Sequence, residues 1–285
     1  MNVSGLRVEL AGQLLVRDFS IALAPGRVHA VVGESGSGKT ISALAVLGLE
    51  PEDARVTHRP ALKEAAMVLQ EPLSALNPVL SVGSQLYETL EVHGQPRGRA
   101  LELLAEVGID DGEPRLRSFP HQLSGGQRQR VAIACALAAN PRVLIADEPT
   151  TALDASTRNV VLELLRRLAR DRGLAVWLIT HDLHAVRDAS DDVSVMYAGA
   201  VVEHGLTSTV LSAPRHPYTA ALLAANPAAH SAGAPLPTIP GAVPLASEVI
   251  AGCRFHPRCP RAQAKCSAAA PALIDGVACF FPVAP

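Results

Sequence analysis

Short, continuous apolar runs alternate along this chain with stretches whose apolar positions recur at helical spacing, the arrangement of an α/β layered core. Residues 27–32 (RVHAVV) predict a buried strand, and residues 40–47 (TISALAVL) the helix that follows it. Residues 143–146 and 175–179 predict two further buried strands. Between those two, Val160, Val161, Leu164, Leu165 and Leu168 form the apolar stripe of an amphipathic helix. No strand pattern stands out over residues 72–140, where helical patterns around 82–92 and 100–107 predict a helical insertion into the core. Beyond about residue 205 the alternation stops. A short helix over 218–225 leads into AANPAAHSAGAPLPTIPGAVPLAS, whose Ala, Pro and Ser content reads as an extended connector. Residues 226–285 hold ten prolines and few large apolar side chains, so a packed core is hard to build there. These shifts predict a core domain over 1–205, its helical part over about 72–140, and an extension over 206–285.

The 285 residues include 25 Lys and Arg against 27 Asp and Glu, a formal charge of −2. A general nucleic-acid binder would carry a basic excess, so this balance argues against that class. Hydrophobic residues make up 48% of the chain. Even so, the longest wholly apolar run, residues 131–139, is about half the length of a membrane span. The start, MNVSGLRVEL, lacks the basic-then-apolar pattern of a signal peptide. The reading is a soluble chain of the cytoplasm. Disulfides are disfavoured there, and four of the five cysteines fall in the last 33 residues, which points to metal or redox chemistry. Cys135 stands apart and reads as a small core residue.

Residues 33–40, GESGSGKT, match G-x-x-x-x-G-K-[ST] between a predicted strand and a predicted helix, the context that motif requires. The loop of Gly33, Glu34, Ser35, Gly36, Ser37 and Gly38 can wrap a phosphate chain with its N–H groups turned inward, because the glycines permit the tight backbone. Lys39 can reach the β- and γ-phosphates, and the Thr40 hydroxyl can ligate Mg²⁺. In VLIADEP (143–149) Asp147 stands at the C-terminal end of a strand, where open α/β sheets bind ligands, and can join the Mg²⁺ shell. Glu148 follows, placed to orient or deprotonate an attacking water. QLSGGQRQR (122–130) sets a serine and two glycines ahead of an apolar helix. That pattern suits a helix N-terminus built to receive an anion, and equally an ordinary helix cap.

Together, the phosphate loop, LSGGQ, an apolar strand ending in Asp-Glu, and a histidine after another apolar strand (LITHDL) resemble the ATP-binding cassette (ABC) ATPases over about residues 3–210. The resemblance implies an α/β phosphate-loop ATPase core with a helical subdomain, using ATP and Mg²⁺. It makes Ser124, Gly125, Gly126 and Gln127 the signature that caps the γ-phosphate of an ATP on a second, facing cassette. It makes Gln70 (MVLQEP) the glutamine that senses Mg²⁺ and water and couples to the transmembrane partner. Asp154 (TALD) becomes the aspartate that crosses the dimer interface, and His181 the γ-phosphate contact. Two departures are visible. VELAGQLLVRD offers Leu10 or a neighbour where most cassettes stack adenine on an aromatic ring, which leaves ATP and GTP undistinguished. Residues 50–66 are short where many relatives carry a longer β-rich excursion, so a trimmed β-subdomain is expected.

EPLSALNP (71–78), HPYTAALLAANP (216–227) and IPGAVP (239–244) are similar to the peptide and nickel importer branch of that family. In that branch a C-terminal cysteine quartet ligates a 4Fe–4S cluster. Here Cys253, Cys259, Cys266 and Cys279 follow C-x5-C-x6-C-x12-C. Four thiolates suit such a cluster or a tetrahedral zinc, and spacing alone separates neither from unmetallated cysteines. The resemblance implies the ATP-hydrolysing subunit of an importer for peptides or a related small solute, held at the cytoplasmic face of the cell membrane. Its implied partners are a second identical or homologous cassette, separate permease subunits and, indirectly, an extracytoplasmic solute-binding protein, with no nucleic acid. The rival is a soluble cassette ATPase of a cytoplasmic assembly machine, such as one that builds iron–sulfur clusters. A nucleic-acid-handling cassette would carry two cassettes in one chain or a long coiled coil, and the sequence has neither.

Overall fold

A computed structural model of the chain describes residues 1–284 except 61, 63, 71–74, 152, 227–236, 246 and 249. The first half of the EPLSALNP segment and residues 227–236 and 246 of the Ala/Pro-rich connector therefore lie outside the described residues. The chain forms two compact units, one of residues 1–22, 29–61 and 180–285, the other of residues 23–28 and 62–179.

In the first unit, strands β1 (Asn2–Leu10), β2 (Gln13–Ala22) and β4 (Ala54–Thr57) make an antiparallel sheet in the order β2-β1-β4. Alternation sets its buried face: Val3, Leu6, Val8, Val16, Phe19 and Ile21 are all buried while their neighbours point outward. Among the described residues, the excursion after residue 49 gives this sheet one four-residue strand, β4. A second set of strands carries the phosphate loop. His29–Val32 of β3 (Val28–Val32) pair in parallel with β8 (Asp192–Tyr197), which pairs antiparallel with β9 (Ala200–Leu206). Every residue of β3 is buried, including His29, whose ring nitrogen Nε2 lies 2.8 Å from Ser194 Oγ. Described residues of the last sixty do take part in a core, contrary to the expectation from the proline content of that stretch. Phe255 is 1% exposed and meets Tyr197 and Tyr218 edge-on at ring separations of 5.2 and 5.4 Å. A few large rings borrowed by β8 and by the helix Pro217–Ala224 bury what many small side chains cannot.

In the second unit, β6 (Val143–Asp147) lies between β5 (Ala65–Val68) and β7 (Ala175–Thr180), all parallel, and each of its five residues is buried. The helix Ala155–Arg172 links β6 to β7 in the crossover that parallel strands require. Four of its predicted stripe residues are buried, but Val160 is 53% exposed, at the edge of the stripe where the helix turns outward. Helices Val82–Val92, Arg99–Glu106, Gly112–Arg117 and Gly125–Ala138 lie between β5 and β6 in the sequence of this unit. Among the described residues no helix is long and apolar enough to cross a membrane.

Candidate nucleotide site

The phosphate loop belongs to the first unit. Its glycines answer two constraints: a Cβ on Gly33 would stand 2.1 Å from the Met196 carbonyl oxygen, and Gly38 adopts φ 99°, which L side chains rarely accept. Gly38 also opens the helix Lys39–Leu47, which has no side-chain cap and no acidic residue in its first turn. The positive end of that helix therefore meets no carboxylate of its own first turn, and suits an anion. Lys39 is 6% exposed, and its Nζ donates to the carbonyls of Gly33 (2.9 Å) and Glu34 (3.0 Å) and to Ser37 Oγ (3.4 Å). The ammonium is thus stored on the loop it serves. Ser37 is fully buried, with its carbonyl accepting from Gly199 N–H, while Ser35, Gly36 and Thr40 are exposed. Glu34 turns away from this cradle. Its carboxylate is gripped by Arg258, at 3.0 and 3.2 Å. His181 follows β7 on the turn into the helix Leu183–Ala189 and is exposed.

The carboxylates belong to the second unit. Asp147, 2% exposed, ends β6. Glu148 then takes φ 45°, left-handed for a residue that is not glycine. Such a conformation costs on the order of 1 kcal/mol and persists only where neighbours over-determine it. Here the Glu148 N–H donates to the Ile179 carbonyl (2.8 Å), and the Glu148 carbonyl accepts from Thr151 N–H (3.1 Å). Its carboxylate oxygen Oε2 accepts from Thr151 Oγ1 (2.9 Å) and from Gln70 Nε2 (3.3 Å). The structure therefore brings together two residues 78 positions apart that the sequence motifs nominate separately. Thr151 is a third member that no motif reading singled out.

The LSGGQ segment forms the start of the helix Gly125–Ala138. Ser124 is its N-cap: Ser124 Oγ accepts from Gln127 N–H (3.2 Å), and Gln127 Oε1 accepts from Ser124 N–H (3.0 Å). Ser124 is exposed, whereas Gly126 is buried, and a Cβ there would meet Thr157 Cγ2 at 2.2 Å. Gly125 would place a Cβ at an ordinary 3.4 Å from Leu153. Asp154 caps the neighbouring helix, accepting from Ser156 and Thr157, and the Ser156 hydroxyl above all holds its carboxyl below the usual carboxylate range.

Cys253, Cys259, Cys266 and Cys279 line one small cavity in the first unit, together with His216, His256 and Phe255. Burial pushes the Cys253, Cys259 and Cys279 thiols up, and their mutual proximity adds to it. Among the described residues, no group of three or more His, Cys, Asp or Glu is spaced to hold a metal ion. Four thiols facing one cavity are the donor type of either a tetrahedral zinc or a 4Fe–4S cluster. Cys135 lies apart on the helix Gly125–Ala138, its thiol pushed up to about 12 by burial.

A glycine-turned loop with a stored lysine, opening an uncapped helix, defines a phosphate-loop nucleotide-binding protein. Residues 16–151 match the family model described as ABC transporter, and residues 202–266 match the one described as oligopeptide/dipeptide transporter, C-terminal region. Over 301 residues the chain is 43% identical to the dipeptide transport ATP-binding protein DppD of Escherichia coli, covering 96% of this chain and 92% of that protein. It is 45% identical over 286 residues to the oligopeptide transport ATP-binding protein OppD of Mycobacterium tuberculosis, covering 91% of this chain and 47% of that one. Among solved structures it is similar to the dimeric bacterial ABC transporter cassette MJ0796, with TM-score 0.61 and 27% identity over 73% of this chain and 99% of that one. The chain belongs to the ATP-binding subunits of the ABC transporter family, which are ATPases. The alternative of a cytoplasmic assembly ATPase finds no support, since the region that would have to set such an enzyme apart matches a transporter region instead.

Proposed function

We propose that the chain powers an importer for peptides or a related small solute, docked at the cytoplasmic face of the membrane through separate permease subunits and paired with a second cassette. The carrying observation is the match of residues 202–266 to the oligopeptide/dipeptide transporter region, in a chain 43% identical to DppD nearly end to end. We divide it accordingly into an ATPase part over 1–205 and an extension over 206–285. In this reading Lys39 leaves the Gly33 and Glu34 carbonyls for the β- and γ-phosphates of ATP, and the loop N–H groups and helix N-terminus hold the phosphate chain. Thr40, Asp147 and Gln70 hold Mg²⁺, which supplies charge neutralisation at the phosphates. Glu148 takes the proton of the attacking water, with Gln70 and Thr151 fixing its carboxylate, and His181 contacts the γ-phosphate. Ser124, Gly125, Gly126, Gln127 and Asp154 serve the facing cassette. Purification of the tagged chain from membranes tests this: integral permease subunits should accompany it, and ATP hydrolysis should rise when peptide is offered with its binding protein. A chain recovered alone from membranes, with peptide-insensitive hydrolysis, contradicts the importer reading.

We propose a 4Fe–4S cluster as the extension's cofactor, on the ground that four cysteines line one cavity. A cluster binds each thiolate at a separate corner iron and so accepts wider thiol spacing than one zinc does. Anaerobic purification followed by iron, sulfide and zinc analysis should give about four iron and four sulfide per chain. Four titratable thiols without iron remove the cluster and leave the ATPase reading intact.

A further inference from the structure

Three segments of the extension that the nucleotide chemistry does not use meet at one residue of the phosphate loop. The histidine–proline–tyrosine segment supplies Tyr218, fully buried, whose hydroxyl accepts from the Glu34 backbone N–H at 3.0 Å. Arg258, immediately before Cys259, supplies two nitrogens to the two Glu34 carboxylate oxygens, Nη1 to Oε2 at 3.0 Å and Nη2 to Oε1 at 3.2 Å. The isoleucine–proline–glycine segment fixes Arg258 in turn, the Pro240 carbonyl accepting from Nε at 2.8 Å. Tyr197 closes the arrangement, its hydroxyl 3.3 Å from Nη1 and its ring 5.7 Å beneath the guanidinium. The Arg258 side chain is 6% exposed and that of Glu34 27%, so the pair is shielded from salt and bidentate, the geometry in which an ion pair orients its partners.

We propose that Arg258 and Tyr218 are positioning residues for ATP binding, through which the C-terminal extension sets the shape and the charge of the phosphate loop. Two physical effects give the sign. A loop held in its binding geometry loses less freedom when ligand arrives. Glu34 is also a negative charge at the second position of a loop that must accept a polyanion, and Arg258 neutralises it. Removing Arg258 leaves that carboxylate uncompensated beside the incoming phosphates. The proposal rests on ATP being the ligand of this loop, which Lys39→Ala tests separately.

The full-length chain is titrated with a fluorescent ATP analogue. Arg258→Ala should weaken binding roughly three- to thirtyfold, and Tyr218→Phe, which removes one hydroxyl, roughly two- to tenfold. Adding Glu34→Gln to Arg258→Ala should recover part of the loss, because it deletes the unpaired charge. Arg258→Lys should fall between Ala and wild type. A purely structural role would make Glu34→Gln neutral or additive in the Arg258→Ala background, and that result overturns the proposal. So does an unchanged Kd in Tyr218→Phe and Arg258→Lys, which keep the site closest to its native packing should Arg258→Ala fail to fold. Wild-type chain that ignores the analogue, or Lys39→Ala that binds it normally, counts against the nucleotide reading and not against the clamp.

Discussion

The helix Lys39–Leu47 and the helix Gly125–Ala138 both begin at glycine-rich turns, and they prepare their N-termini in opposite ways. The first has no side-chain cap, and a left-handed glycine with a stored lysine stands at its mouth. The second is capped by its own motif, with Ser124 and Gln127 satisfying each other's N–H groups. An uncapped end is costly unless a ligand completes it, whereas a capped end is stable alone. The first helix is therefore suited to an anion. The second can present Ser124 to an anion belonging to another chain and lose nothing while waiting, since the cap uses the hydroxyl as acceptor and leaves its O–H to donate.

The comparison breaks most visibly at Ser124. Asp is as good an N-cap as Ser, so Ser124→Asp should keep the melting temperature while setting a negative charge where a γ-phosphate is to be received. Hydrolysis by the assembled transporter should then fall by about a hundredfold or more, the scale of losing one preorganised donor, while analogue binding by the isolated chain stays put. Loss of binding in the isolated chain would instead mean that Ser124 serves its own nucleotide. Next in size is Gly126, where the close approach of Thr157 by itself already requires a glycine. Gly126→Ala should destabilise the chain by about 1–3 kcal/mol in denaturant melts, and Thr157→Ser, which deletes the clashing methyl, should restore most of it. No rescue would return Gly126 to the phosphate. The smallest effect expected is Ser124→Ala on stability alone, about 1 kcal/mol for a lost cap.

Much of this was legible because local chemistry and tertiary role coincide. A short apolar run rich in β-branched residues suits a strand buried on both faces, as residues 143–146 and 175–179 are, whereas the longer, alanine-rich run 131–139 lies in the helix Gly125–Ala138 and its C-cap. A phosphate loop needs glycines wherever it is found. Strands β1 and β2 alternate only between register shifts in their pairing, and their sequence predicts no element. Val160 fits the helical period but lies at the margin of the buried stripe, a matter of what the helix packs against. Long-range partnerships left the least trace. The separation between Glu34 and Arg258 is 224 residues, and neither residue type is unusual where it stands. Gln70 and Glu148 were each nominated by a motif, but their hydrogen bond, and Thr151 beside them, follows only from how β5 and β6 align.

The most direct test of the ATPase account is Glu148→Gln in the chain assembled with its permease partners. The carboxamide keeps the size of the side chain and the backbone that holds φ 45°, and removes the carboxylate proposed to accept the proton of water. ATP binding should stay within a few-fold of wild type while steady-state hydrolysis falls by at least about 10²–10⁴-fold, the usual worth of a general base. Hydrolysis within a few-fold of wild type would contradict the account.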